Sequence, residues 1–400
     1  MSLYRLWPLL AVVFWTGSED ACSSDDHRLK AVLDQVLEQG YPGIAVLMER
    51  PNGEVYAAAA GYADLGEQLP LRMDHAFHMA SITKTFTAVA VLRLIDEGKL
   101  SLDDTMAERL ESVVDAIPHA SRITVAQLLD HSSGIYPTNN DSDYLNTLIG
   151  LRADPYFIWS PEELVALASG ERREPPGAPG EGHFYSDTNY VLLGMIVEKA
   201  SGRPFKTFIR ETLLEPLRMR STWFYSDQLA TREPPPAEPV RGYLLATDEL
   251  RSLIDINPMF EPAPGGNRKE GVLLETTLAA ERIDAAAGLI TTLPDLHRFA
   301  SALFRGQLLT ARSQAFLLSA GEGMGHEPVD SDRTRALQAI RKPYGVLLYK
   351  QGDGPGGVNT LMAYSQASGA IFIGFTNVFG YFDEVDLMMD RVFAEFENGQ

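Results

Sequence analysis

Between residues 85 and 92 the chain carries no charge, and Phe86, Val89, Val91, Leu92, Leu94 and Ile95 place apolar side chains on nearly every side of a helix. A helix that is apolar all round has to be surrounded by protein, so the rest of the chain must build a core about this stretch. At its entrance stands Ser81-Ile82-Thr83-Lys84. Residues three apart share a helix face, which brings Lys84 beside Ser81. Burial weakens a lysine's hold on its charge, and a hydroxyl nucleophile needs a neighbouring base, or a cation that stabilises one. Ser-x-x-Lys alone arises by composition in a chain of this length; its place at the mouth of a buried helix gives it weight.

The 400 residues suffice for one large or two interleaved domains, and 45% hydrophobic with 22% charged residues is globular chemistry, not disorder. A net charge of −20 argues against nucleic acid and anionic membrane as partners. Cys22 is the one cysteine, which excludes an internal disulfide and a thiolate metal cage. The eight histidines lack metal-ligand spacing, so no metal and no cofactor is expected. Arg5 ahead of the apolar run at 6–15 and the small residues Thr16-Gly17-Ser18 reads as a signal peptide over 1–21, hence export. No later segment is long and apolar enough to cross a membrane.

Taken in order, 27–39 has helical spacing, and the runs 44–49 and 55–60, joined by Pro51-Asn52-Gly53, predict a hairpin. Helices follow at 161–168 and 191–199, the latter closed by Ser201-Gly202. Pro234-Pro235-Pro236 and Pro262-Ala263-Pro264-Gly265-Gly266 read as surface loops. The segments 344–349, 360–364 and 370–376 predict three strands, and 383–395 a last helix. Strands at both ends predict an α+β fold: one antiparallel sheet from 26–78 and 280–400, flanked by helices, with a mostly helical domain over 79–279 inserted and the site between.

A second site candidate is His183-Phe184-Tyr185-Ser186-Asp187-Thr188-Asn189-Tyr190, at the entrance of the helix 191–199. A tyrosine at such a junction usually packs with its hydroxyl satisfied. The functional alternative makes the Tyr185 phenol a proton carrier for Ser81. With a free pKa near ~10 it needs a close cation, and Lys84 is the candidate. Asp130 and His131 read as braces of a packed turn.

Ser81-Ile82-Thr83-Lys84, Leu128-Leu129-Asp130-His131-Ser132-Ser133-Gly134, Tyr185-Ser186-Asp187-Thr188-Asn189-Tyr190, Pro216-Leu217-Arg218-Met219 and Ala287-Gly288-Leu289 occur in an order that resembles the class C β-lactamase-related serine hydrolases. That group includes β-lactamases, D-alanyl-D-alanine carboxypeptidases, D-aminopeptidases and β-lactamase-fold esterases, and the likeness runs from about Gly43 onward. It implies an acyl-enzyme mechanism with Ser81 as nucleophile, Lys84 as its activating partner and Tyr185 as general base and then acid.

Two positions depart from the family pattern. Where the family has asparagine stands Asp187, and a carboxylate there would hold Lys84 protonated and raise the pKa of Tyr185. The third motif, Lys or His, a small residue, then Gly, falls in Lys350-Gln351-Gly352-Asp353-Gly354-Pro355-Gly356-Gly357. Read as Gly352-Asp353-Gly354, it puts Pro355, which has no N–H, at the oxyanion donor position. Read as Asp353-Gly354-Pro355, it puts Gly356 there; an active enzyme favours this register. Both registers lose the cation, so anionic substrates should bind poorly unless Lys350 substitutes. Asp187, Asp353 and Gly356 are thus the expected substrate and oxyanion residues. The expected activity is an esterase-like serine hydrolase acting on a small ester, amide or short peptide. A D-alanyl peptidase or β-lactamase, and a non-catalytic binding relative, are the alternatives.

Overall fold

Pro51-Asn52-Gly53 turns the chain between strands Gly43–Glu49 and Val55–Asp64, which pair antiparallel with Gly43 opposite Gly61 and Glu49 opposite Val55. Gly53, at φ 87°, takes the left-handed conformation this turn needs. The computed structural model describes residues 24–267, 271–319, 336–342, 344–380 and 389–392. The predicted signal peptide lies outside them. Among the described residues no helix is long and apolar enough to cross a membrane.

The first strand does not lie at the sheet's edge. It is bracketed by its hairpin partner and by Ile371–Thr376, in a seven-stranded sheet ordered Gln338–Lys342, Gly345–Gly354, Val358–Ser365, Ile371–Thr376, Gly43–Glu49, Val55–Asp64, Leu69–Pro70. Every pairing in it is antiparallel. Alternation along the strands feeds two cores. Ile44, Val46, Met48 and Phe372 meet Leu29, Leu33 and Val36 of the helix Ser24–Leu37 on one face. Ala45, Ile371, Ile373 and Phe375 share the larger core with Phe299 of the helix Leu293–Phe304 on the other. Of the helix predicted over 383–395, only 389–392 is described; it is helical, with Met389 and Val392 in the first of these cores.

The helix Thr83–Asp96, uncharged from Thr85 to Leu92, is buried from Thr83 to Leu92 and packs against Asp187–Ser201, which ends on left-handed Gly202 at φ 69°. Capping boxes open the helices Val125–Leu129 (Thr124 with Gln127) and Pro161–Leu167 (Ser160 with Glu163). The stretch expected to be mostly helical turns to strand in its last third. Tyr243–Thr247, Pro262–Asn267 and Gly271–Glu275 form a second sheet with Val378–Phe379. Pro262-Ala263-Pro264-Gly265-Gly266 is therefore strand and not loop. It is the edge strand of that sheet, paired on one side only, where missing proline donors cost least.

Candidate active site

Ser81 lies in a single 3-10 turn, Ala80–Ile82, between the strand Ala76–His78 and the buried helix. Ala80 is held at φ 42°, a conformation that side chains with a Cβ rarely adopt and that the surrounding packing must impose. The following helix is clamped to the segment 283–289: the Thr87 hydroxyl donates to the Ala285 carbonyl at 2.6 Å, and Leu289 N–H to Thr83 Oγ1 at 3.3 Å. Lys84, fully buried, is pinned by the same clamp. Its Nζ donates to Ser81 Oγ at 2.9 Å and to the Ala286 carbonyl at 3.1 Å, and pairs with Asp187 Oδ1 at 2.6 Å.

Tyr185 and Asp187 flank the N-cap residue, Ser186, of the helix Asp187–Ser201. The Tyr185 hydroxyl is 2.8 Å from Ser81 Oγ. His131 braces this corner, as its sequence position suggested. Its Nδ1 accepts from Ser186 N–H at 3.2 Å and lies 3.2 Å from Asn189 Nδ2, and its ring stands 4.4 Å from that of Tyr185. Asp130 accepts the Ser132 N–H and hydroxyl at 3.0 and 2.6 Å. The Asp187 carboxylate has the positive end of its own helix on one side and Lys84 on the other. Burial would lower the Lys84 pKa, but Asp187 and then Tyr185 outweigh it and hold the ammonium above the ordinary lysine range. Burial and Asp187 push the Tyr185 phenol up to about 12, against the pull of Lys84.

The third motif sits in a register that sequence reasoning did not choose. On the strand Gly345–Gly354 it is Gly352 that abuts the nucleophile: a Cβ there would run into the Met79 carbonyl and stand 3.0 Å from Ser81 N. Gly356, expected at the oxyanion position, is instead in the turn after the strand, pressed against Ala280 and Gly242. The matching triplet is Lys350-Gln351-Gly352, so the cation is present after all. Side chains two apart on a strand share a face, which puts Lys350 and Gly352 on the buried side, with Lys350 Nζ 4.9 Å from the Tyr185 ring centre. Burial and Lys84 draw the Lys350 pKa down to about 7, although Asp187 and Asp353 oppose the shift. Asp353 lies next in line, its side chain accepting from Gln351 Nε2 at 3.3 Å, and burial raises its pKa against the pull of Lys350 and Lys84. Gly352→Ala is expected to displace the Ser81 turn and lower kcat about 10²-fold in a protein whose far-ultraviolet spectrum is unchanged. Activity within a fewfold of wild type would show that the close approach does not position Ser81.

Two residues here carried no sequence signal. The Glu281 carboxyl comes within 3.3 Å of where a Cβ on Gly354 would sit. Its pKa is raised by burial and by Asp187, with Lys84 pulling the other way. The Arg282 guanidinium donates to the carbonyls of Asp154 and Phe157 at 3.3 Å and of Leu278 at 2.5 Å. Among the described residues no cluster of three or more His, Cys, Asp or Glu is arranged to hold a metal ion.

Esterase EstB of Burkholderia gladioli is 33% identical over 207 residues, 50% of this chain and 51% of that protein. Penicillin-binding protein 4* of Bacillus subtilis (strain 168) is 31% identical over 203 residues, 51% of this chain and 42% of that protein. The chain thus spans about half the length of the curated relatives it matches. Among solved structures, D-amino acid amidase from Ochrobactrum anthropi SV3, complexed with L-phenylalanine amide, superposes with a TM-score of 0.75 at 24% identity. That match covers 94% of this chain and 99% of that one, and the likeness is one of fold. The model of the Beta-lactamase family matches residues 29–393, nearly the whole described chain, and the protein belongs to that family of serine hydrolases.

Proposed function

We propose that the protein hydrolyses a small, uncharged ester or amide through an acyl intermediate on Ser81, with esters favoured. One observation carries this reading: Ser81 Oγ is within hydrogen-bond distance of both Lys84 Nζ and the Tyr185 hydroxyl. In this scheme Lys84 is a permanent cation, held in that form by the Asp187 carboxylate 2.6 Å away. Ser81 Oγ attacks the substrate carbonyl carbon while its proton passes to Tyr185, whose own proton moves to the Lys350 amine. The carbonyl electron pair goes to oxygen, for which this proposal takes Ser81 N–H and, in the Lys350-Gln351-Gly352 register, Asp353 N–H as the donors. Collapse expels the alcohol or amine, which takes a proton back through Tyr185. Water then repeats the sequence on the acyl-enzyme, releasing the acid and restoring Ser81.

The esterase relative supports an ester substrate. The Asp187 carboxylate and the burial of Lys350 disfavour a substrate carboxylate. The proposal also takes the site as a cleft between the sheet domain, 26–78 and 280–400, and the inserted 79–279, and includes export on the strength of 1–21.

Lys350 is faced by Lys84, Asp187, Asp353 and His131, and only its neutral form can accept a proton. Below about pH 7 the amine is protonated, so kcat/KM for p-nitrophenyl butyrate should fall about tenfold per pH unit there and level off above. Lys350→Met should remove that limb and lower kcat about 10²–10⁴-fold. A limb near pH 7 that survives the substitution would assign the titration to another group. The reading as a whole is tested by intact mass after fluorophosphonate treatment, with hydrolysis of p-nitrophenyl butyrate alongside. No adduct and no turnover on folded protein would leave a binding relative of the family.

A further inference from the structure

Tyr185 is bracketed on both sides by one residue from another loop. Phe184 N–H donates to the His131 carbonyl at 2.8 Å, and Ser186 N–H donates to His131 Nδ1 at 3.2 Å. The backbone before and after the phenol therefore hangs on His131 alone. The imidazole also covers the ring it brackets, with the two centres 4.4 Å apart and the planes tilted by 31°. Lys84 Nζ at 5.1 Å and Lys350 Nζ at 4.9 Å approach the same phenol ring. His131 itself stands at φ 60°, in the left-handed region. Histidine enters that region more readily than most residues, but a fold keeps it there only where the surroundings impose it.

The hydrogen bonds also decide which form the imidazole takes. The Ser133 hydroxyl donates to Asn189 Oδ1 at 2.6 Å and accepts Ile135 N–H at 3.1 Å, so the Asn189 amide turns its Nδ2 toward His131, 3.2 Å from Nδ1. Two N–H donors thus converge on Nδ1, which must offer a lone pair, and the ring proton sits on Nε2. That nitrogen is buried and has no hydrogen-bond partner among the described residues, so nothing on its side opposes the choice. Burial, then Lys350, Lys84 and His183, hold the imidazole pKa well below its ordinary range. Protonation would set an N–H against two donors and release Ser186.

We infer that His131 is the positioning residue for Tyr185: through Ser186 N–H, Phe184 N–H and the face of the phenol ring it holds the tyrosine hydroxyl 2.8 Å from Ser81 Oγ. The inference rests on the hydrolase reading, in which Tyr185 carries the Ser81 proton, and adds a residue that acts only through its neighbours. His131 moves no proton itself, because its one lone pair already faces two donors. Its contribution is alignment, and a reacting group misplaced by about 1 Å can lose about 10²-fold in rate.

The test uses two amides that differ in where the acceptor sits. His131→Asn puts an oxygen near the place of Nδ1 and is tolerated at positive φ, whereas the longer side chain of His131→Gln reaches the place of Nε2. His131→Gln is expected to lower kcat for p-nitrophenyl butyrate about 10²-fold with KM within about threefold of wild type, and His131→Asn to recover about tenfold of that loss. On a Tyr185→Phe background His131→Gln should change the residual rate by less than about threefold, since no phenol is left to misplace. Ser133→Ala, which keeps His131 and frees the Asn189 amide, should lower kcat about fivefold and also be silent on that background; it carries the test if the glutamine variant does not fold. Equal losses in the two amide variants, or a full further loss on the Tyr185→Phe background, would show a merely structural role and overturn the inference. Wild-type activity in folded His131→Gln would do the same. The Cζ resonance of Tyr185 in isotope-labelled protein, identified by its absence in Tyr185→Phe, gives a readout without turnover: it should move in His131→Gln and stay near its wild-type position in His131→Asn. That pattern in a protein that hydrolyses no ester would sink the hydrolase reading and leave the positioning. An unmoved resonance in both variants of an active enzyme would sink the positioning alone.

Discussion

Ser81→Ala is expected to lower kcat for p-nitrophenyl butyrate by about 10⁴-fold or more and to abolish the fluorophosphonate adduct seen by intact mass. The size of the effect follows from the geometry. Lys84 Nζ and the Tyr185 hydroxyl converge on Ser81 Oγ at 2.9 and 2.8 Å, so removing that oxygen leaves both without the atom they serve. Ser81 is only partly buried, and the change deletes one oxygen without opening a cavity in the core. The thermal midpoint should therefore stay within a few degrees of wild type. A variant that keeps the adduct would place the reactive nucleophile elsewhere and sink the mechanism.

Lys84→Met is expected to cost about 3–5 kcal/mol of stability, measured by urea unfolding, besides removing activity. The Lys84–Asp187 pair is almost fully enclosed, with side-chain exposures of 0% and 3%. Methionine fills the volume but leaves a buried carboxylate without its counter-charge. The double variant Lys84→Met/Asp187→Asn should recover most of the loss, because the orphaned charge goes with the second substitution. Recovery of stability without recovery of activity is the outcome that separates the pair's two roles. The Lys84 pKa is raised in the folded state, so the pair stabilises fully below the unfolded lysine value and its contribution is lost as pH rises through the folded one. Failure of the double variant to regain stability would mean that the cost of Lys84→Met lies in packing and not in the stranded charge.

The Ser81–Lys84 contact follows from three-residue spacing at a helix entrance, whereas Tyr185 and Asp187 were singled out through the family resemblance; the structure brings all four together. The sheet was legible where alternating apolar runs flank turn residues, as at Pro51-Asn52-Gly53. The third motif was not. Gly352, Gly354, Gly356 and Gly357 offer several registers, and only the close contact with Met79 and Ser81, set by the whole fold, selects Gly352. Lys350 followed from that choice and was lost with it. Glu281 and Arg282 are distant in sequence from the residues they meet, and nothing in their neighbours marks a carboxyl bound for the cleft or a guanidinium that ties three carbonyls. The proline-rich edge strand was missed because composition argues for a loop, while pairing on one side only removes the objection to proline.

The place of Gly43–Glu49 inside the sheet has a consequence for how the molecule is made. Ile44 has Thr376 as its partner, so one flank of the first strand stays unpaired until almost the whole chain has been synthesised. Contacts that distant in sequence demand a long search, and folding dominated by them runs in milliseconds to seconds, far slower than for chains built from local contacts. During that interval the hairpin 43–64 presents an open apolar edge, a template for mispairing between nascent chains. Yield during expression should accordingly depend on growth temperature and chaperone supply through the lifetime of that waiting strand, before any property of the finished site comes into play.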